Sequence, residues 1–235
     1  MVWGNGLVPA PSRVRTALSG RSSRLWWRVQ DGIAQVRRRL PEGSVGLTFD
    51  DGPQPGSTDR ILDVLAELGV RGTFFCVGRN VRAHPELARR IRAEGHAVGS
   101  HSLSHPHPRD TELRELQRDY LQGRRAVSEV LGADVRLFRP PHGHLGPAGA
   151  VMVRRLPVTT WLWSVDPQDW RPGVTVREIA AVGSRAGSGD VVLLHDWVEQ
   201  PVAPEALDRS ATVAALPVIV GAIRERGLTL EALRP

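Results

Sequence analysis

Two short polar blocks in this chain have the makings of a hydrolytic metal site: Thr48-Phe49-Asp50-Asp51-Gly52 and His101-Ser102-Leu103-Ser104-His105. Asp50 and Asp51 follow the apolar run Val45-Gly46-Leu47-Thr48-Phe49. Inside a strand, neighbouring side chains point to opposite faces, which would bury one carboxylate in the core. At the exit of a strand both can reach one cleft, where one binds a cation and the other takes a proton. His101 and His105 stand four residues apart, the spacing of one helical turn, so both imidazoles can converge on one point. One carboxylate and two imidazoles leave open positions on a divalent metal, as hydrolysis requires.

Such a site needs a scaffold, and the composition bounds it. With 235 residues and 25.7 kDa the chain suits one large domain or a barrel. Hydrophobic residues make up 41% and charged residues 24%, ordinary for a globular protein. All 31 basic residues are arginine, and the net charge is +6. The arginines are scattered among Asp and Glu in helical segments, without interleaved aromatics, so they read as a solvated surface and not as a nucleic-acid face. The single cysteine, Cys76, excludes an internal disulfide and any multi-cysteine zinc site. It follows Thr73-Phe74-Phe75 and reads as a buried strand thiol. No apolar stretch approaches the roughly 18 residues of a membrane-spanning helix. No apolar core of about 7–15 residues marks a secretion signal, so the expected location is cytoplasmic.

Residues 1–43 read as an N-terminal extension. Residues 1–20, rich in Pro, Gly, Ser and Arg, are expected to be poorly ordered. Leu25, Trp26, Val29, Ile33, Val36 and Leu40 then form an apolar stripe at helical spacing, with Arg24, Arg28, Arg37, Arg38 and Arg39 around it. This basic amphipathic helix would dock on its own domain, with peripheral membrane contact as the alternative. From residue 44 to 235, strand-like runs alternate with helical patterns. Strands are expected at 45–49, 73–77, 97–100, 135–138, 158–163, 190–194 and 228–230. Helices are expected near 57–68, 85–94, 111–131, 147–155, 175–186 and 205–226, the last kinked or broken at Pro217. About seven β/α repeats imply parallel strands in an α/β barrel or a doubly wound sheet. Every polar cluster follows a strand, and in a parallel barrel those C-terminal ends share one rim, where active sites lie.

Five blocks in order carry a resemblance: T-F-D-D-G, H-S-x-x-H, Arg139-Pro140-Pro141-His142-Gly143, Asp166-Pro167-Gln168-Asp169-Trp170, and L-x-H ending at His195. With Arg71-Gly72-Thr73-Phe74-Phe75 and Gly95-His96-Ala97-Val98-Gly99-Ser100, the chain resembles the polysaccharide deacetylases over about residues 44–232. This is the NodB-homology or carbohydrate esterase family 4 domain. The resemblance implies a distorted (β/α) barrel of about seven parallel strands and metal-dependent removal of acetyl groups, mostly from N-acetylated amino sugars. It implies Asp51, His101 and His105 as ligands of a divalent metal, zinc first, with Co2+, Ni2+ or Fe2+ also suited to the donors. Asp50 is then the general base, kept ionised by the neighbouring cation, and Arg139 its clamp. His195 protonates the leaving amine, with Asp166 as its carboxylate partner and Asp169 as the alternative.

The resemblance also makes the His142 N–H an oxyanion donor, since Pro140 and Pro141 have none to offer. Pro141, His142, Trp163 and Trp170 form the substrate-binding set, and Trp161 is assigned to the core. Relatives mostly carry an aromatic such as tyrosine where His142 stands, which makes this residue a marker of substrate identity. His107 and His144 lie nearby, and His107 reads as a loop residue. Two alternatives stand beside an amino-sugar deacetylase: an amidase of a non-sugar C–N bond, and an inactive carbohydrate-binding relative.

Overall fold

The apolar run that leads to Asp50 is the middle of the sheet. In the computed structural model, which describes residues 29 and 31–235, it forms β1 (Ser44–Asp50), buried along its whole length. The other strands are β2 (Thr73–Cys76), β3 (Ala97–Ser100), β4 (Leu137–Phe138), β5 (Thr159–Thr160), β6 (Val191–His195) and β7 (Thr229–Leu230). They run in the order β5-β4-β3-β2-β1-β6, with β7 paired to the start of β1, and every pairing is parallel. Near-continuous Val, Leu and Phe in β1, β2 and β6 suit strands buried on both faces. Phe49 and Phe74 stack at 4.8 Å between β1 and β2.

The crossovers are α1 (Thr58–Glu67), α2 (Gly78–Ala83), α3 (Pro85–Ala93), α4 (Leu113–Leu131), α5 (Gly146–Arg154), α6 (Val176–Gly183) and α7 (Ser210–Glu225). Ile61, Leu62 and Leu65 are the buried stripe of α1. Thr175 and Glu178 form a capping box at the start of α6. α2 was not expected, because six residues with only Gly78 and Val81 buried show no helical period. α7 continues through Pro217, which lies on its exposed face, so of the expected kink or break the break does not occur. Among the described residues no helix is long and apolar enough to cross a membrane. Cys76 is buried in β2, where burial pushes its thiol well up, as expected of a structural cysteine.

The sheet closes into a distorted barrel. The strand expected at 158–163 is cut to Thr159–Thr160 because the chain then crosses the seam: Val165 pairs with Val192 of β6. Below this, Arg37 pairs with Trp161 and the Leu40 N–H donates to the Gly189 carbonyl, so residues 37–40 strap the same seam. The expected helix through Leu40 is therefore corrected. Residues 31–34 are helical, Gln35 turns at φ 51, and the backbone beyond finds sheet partners on both sides. Leu25, Trp26, Trp27 and residues 1–20 lie outside the described residues. At the opposite end of the chain, Glu231 donates to Val45, Leu233 to Thr73 Oγ1, and the Trp161 indole to the Arg234 carbonyl. The C-terminal residues thus floor the barrel at the strands' N-terminal ends.

Candidate active site

The carboxylate pair is separated by backbone geometry. Asp50 is the last residue of β1, and Asp51 follows at φ 79, a left-handed conformation uncommon for a residue with a side chain. The turn swings Asp51 towards the histidines while Asp50 stays over the sheet. Gly52 is required here, because a Cβ would lie 1.8 Å from Asp196 Oδ2. Asp196 accepts from the Gly52 N–H at 3.1 Å and from Thr58 Oγ1 at 2.6 Å, which fixes the turn.

His101 and His105 are not on a helix. They lie in the loop after β3, where Ser102 and His105 have φ 72 and 57. The imidazoles therefore converge through left-handed loop residues and not through a helical turn. α4 holds this loop: Asp119 accepts from the Leu103 N–H and from Ser104 Oγ, at 2.9 and 2.6 Å. Gly123 lets the helix approach, since a Cβ would lie 2.1 Å from the Ser102 carbonyl carbon.

Asp51 Oδ1 lies 3.4 Å from His101 Nε2 and 3.3 Å from His105 Nε2. The ligand-capable atoms of these three buried residues all lie within 4.8 Å of one another. His101 Nδ1 is 2.7 Å from the Arg139 carbonyl, which can only accept, so Nδ1 carries the proton and Nε2 presents a lone pair. Burial keeps both imidazoles neutral, with His101 pushed well down and His105 to about 4. Asp51 Oδ2 accepts from the Glu199 N–H, whereas the buried Oδ1 has no hydrogen-bond partner among the described residues. An orphaned carboxylate oxygen facing two neutral imidazoles fits a divalent metal.

Asp50 borders this triad, its Oδ2 3.7 Å from His101 Nε2, but it is held by a different partner. Its Oδ1 accepts from Arg139 Nη1 at 2.6 Å, and the same nitrogen reaches Thr48 Oγ1 at 2.8 Å. Arg139 is fully buried, its guanidinium 4.1 Å from the Phe75 ring centre. The clamp is one-armed and not a fork, because Nε turns to the Trp161 carbonyl. Burial raises Asp50 to about 6, against the lowering effect of Arg139.

The partner of His195 is Asp169. Its Oδ1 accepts from His195 Nδ1 at 2.7 Å, and its Oδ2 from the His195 N–H and from Thr212 Oγ1, both at 2.9 Å. The expectation for Asp166 is corrected: a turn with Gln168 at φ 55 carries Asp169 under the histidine, and Asp166 Oδ1 accepts instead from the Gln168 N–H. Burial pulls the His195 imidazole down, but the charge and hydrogen bond of Asp169, together with the charges of Asp51 and Asp50, outweigh it and hold it at about 9.

One cleft of about 400 Å3 gathers Asp50, Asp51, His101, His105, His195 and Asp166, with His142, Trp163 and Trp170 on its walls. Pro141 is buried behind the turn and lines none of it. Trp161 is in the core, with Phe75 and Leu137. His142, at φ 58, sets its ring 4.5 Å from His105 and 4.6 Å from His107. His107 pairs with Asp110, and Arg109 reaches His144. Sequence reasoning missed Asn80 and Glu199, which hold Asp51 from α2 and from the loop after β6. Neither lies in a recognisable block, and only the fold brings them together.

The sequence profile of the polysaccharide deacetylases matches residues 37–161. A chitooligosaccharide deacetylase of Sinorhizobium fredii is 37% identical over 194 residues, covering 81% of this chain and 90% of its own. A peptidoglycan-N-acetylglucosamine deacetylase of Bacillus cereus is 35% identical over 189 residues, 79% of this chain and 84% of its own. A family 4 carbohydrate esterase from Streptomyces lividans, solved in complex with acetate, superposes with a TM-score of 0.71 at 32% identity, covering 83% of this chain and 94% of that one. With the parallel barrel and all five blocks on one rim, these matches settle the family: the chain belongs to the polysaccharide deacetylases.

Proposed function

We propose that the chain hydrolyses the N-acetyl group of an N-acetylated amino sugar to the free amine and acetate, with Zn2+ as its metal. The observation that carries this reading is the division of the two adjacent carboxylates: Asp51 Oδ1 faces both imidazoles at 3.4 and 3.3 Å, whereas Asp50 gives Oδ1 to Arg139 and approaches only His101, at 3.7 Å. A cation held by Asp51, His101 and His105 supplies Lewis acidity, polarising the acetyl carbonyl and acidifying water. Asp50 takes the proton of the attacking water, and at about 6 it is ionised at neutral pH while still a useful base. The His142 N–H is the oxyanion donor. The next two N–H groups, of Gly143 and His144, fold back on the Pro140 and Pro141 carbonyls. His195, protonated below about 9, gives its proton to the nitrogen as the C–N bond breaks. Trp163 and Trp170 offer aromatic faces for the sugar and the acetyl methyl.

The relatives' names point to N-acetylglucosamine-containing oligomers. Acetate release from GlcNAc oligomers and peptidoglycan fragments tests the reading. Chelator-treated protein should be inactive and recover with added Zn2+. Asp50→Ala should lose about a hundred- to ten-thousand-fold in turnover. An Asp50→Ala variant as fast as wild type would sink the mechanism.

A further inference from the structure

Asp51 is gripped from two elements far apart in the chain. Asn80, in α2, donates from Nδ2 to the Asp51 carbonyl at 2.8 Å and to Glu199 Oε1 at 2.7 Å. Glu199, in the loop after β6, donates its own N–H to Asp51 Oδ2 at 2.8 Å, and Arg79 pairs with its other carboxylate oxygen. The Glu199 side chain is 6% exposed. A buried carboxylate this costly to hold needs a reason beyond packing. Asp51 supplies one. Its left-handed backbone is strained and persists only if its surroundings enforce it. With Oδ2 occupied by an N–H, a single oxygen, Oδ1, is left to face His101 and His105.

We infer that Asn80 and Glu199 form a clasp that positions Asp51 as a one-oxygen ligand in the metal site. The inference rests on the metal-site part of the proposed function and is independent of the substrate. The clasp acts through Asp51 and does not itself touch the reacting atoms. Its loss should weaken metal binding by about 10–100-fold, as removal of outer partners of metal ligands commonly does.

The test is the Zn2+ affinity of the full chain, measured by competition with a chromogenic chelator, beside the thermal midpoint of the metal-free protein. Asn80→Ala should lower the affinity by that factor, and Glu199→Ala, which keeps its N–H on Asp51 but removes the acceptor that holds Asn80, by less but more than twofold, while the metal-free midpoint stays near wild type. Glu199→Gln keeps an oxygen for Asn80 and should recover part of the loss. If Asn80→Ala does not fold, Asn80→Ser removes the same donors with less change in volume. Both alanine variants binding Zn2+ within twofold of wild type would overturn the clasp alone. A wild-type chain that binds no Zn2+ would overturn the metal site, and the clasp with it.

Discussion

Asp50 and His195 sit opposite one another in the β1–β6 register, and their surroundings push their proton affinities to opposite sides of neutrality. Burial leaves Asp50 at about 6, and Asp169 holds His195 at about 9. Between those values Asp50 is ionised and His195 protonated, the states that the proposed base and acid need for amide hydrolysis. Activity should fall as pH drops through the carboxylate's range and again as pH rises through the imidazolium's. Asp169→Asn removes the charge that sustains the upper limb. In that variant the alkaline fall in kcat/KM should move down towards the about 6.5 of a free imidazole. Asp166→Asn should leave the limb where it is. A limb that moves with Asp166 and not with Asp169 would reverse the assignment. The grouping of Asp51 with His101 and His105, and the pairing of Asp50 with Arg139, were legible in the sequence through the family blocks that carry them, each after a strand. The choice between two aspartates three apart was not, because it depends on the turn at Gln168.

At the scale of elements, the site consists of strained loop residues on a regular frame. Asp51, Ser102, His105, His142, Gln168 and Gln200 all have positive φ, and all lie in loops beyond strand ends. The strands were readable from their apolar runs, and most helices from their periodicity. Strained loops leave no such pattern, which is why the 101–105 spacing suggested a helical turn. α2 escaped notice for the same reason, since it is short and buries little. What holds the histidine loop is α4, through Asp119 and the bare backbone at Gly123. Gly123→Ala should push a methyl group into the Ser102 carbonyl and displace His101 and His105. The expected result is weakened Zn2+ binding and activity with helical circular dichroism retained. Unchanged Zn2+ affinity would show that the loop does not depend on this contact.

Across the whole molecule, charge is unevenly placed: Arg139 reaches Asp50 from behind the cleft without lining it. The chain carries +6, yet among the described residues four carboxylates and no arginine line the cleft. The seam of the barrel is closed twice, by Val165 on β6 and by the strap at 37–40, so the rim rests on contacts between distant parts of the chain. Leu233 seals the floor at 2% exposure. Leu233→Ala should cost about 2–5 kcal/mol, read as a lower urea midpoint, and a change below 0.5 kcal/mol would show that the floor is dispensable. That floor also gives the enzyme a direction. Because the last residues leave from the pole opposite the cleft, a bead, tag or cell surface tethered to Pro235 would hold the molecule with its mouth outwards, open to polymers too large to diffuse around it.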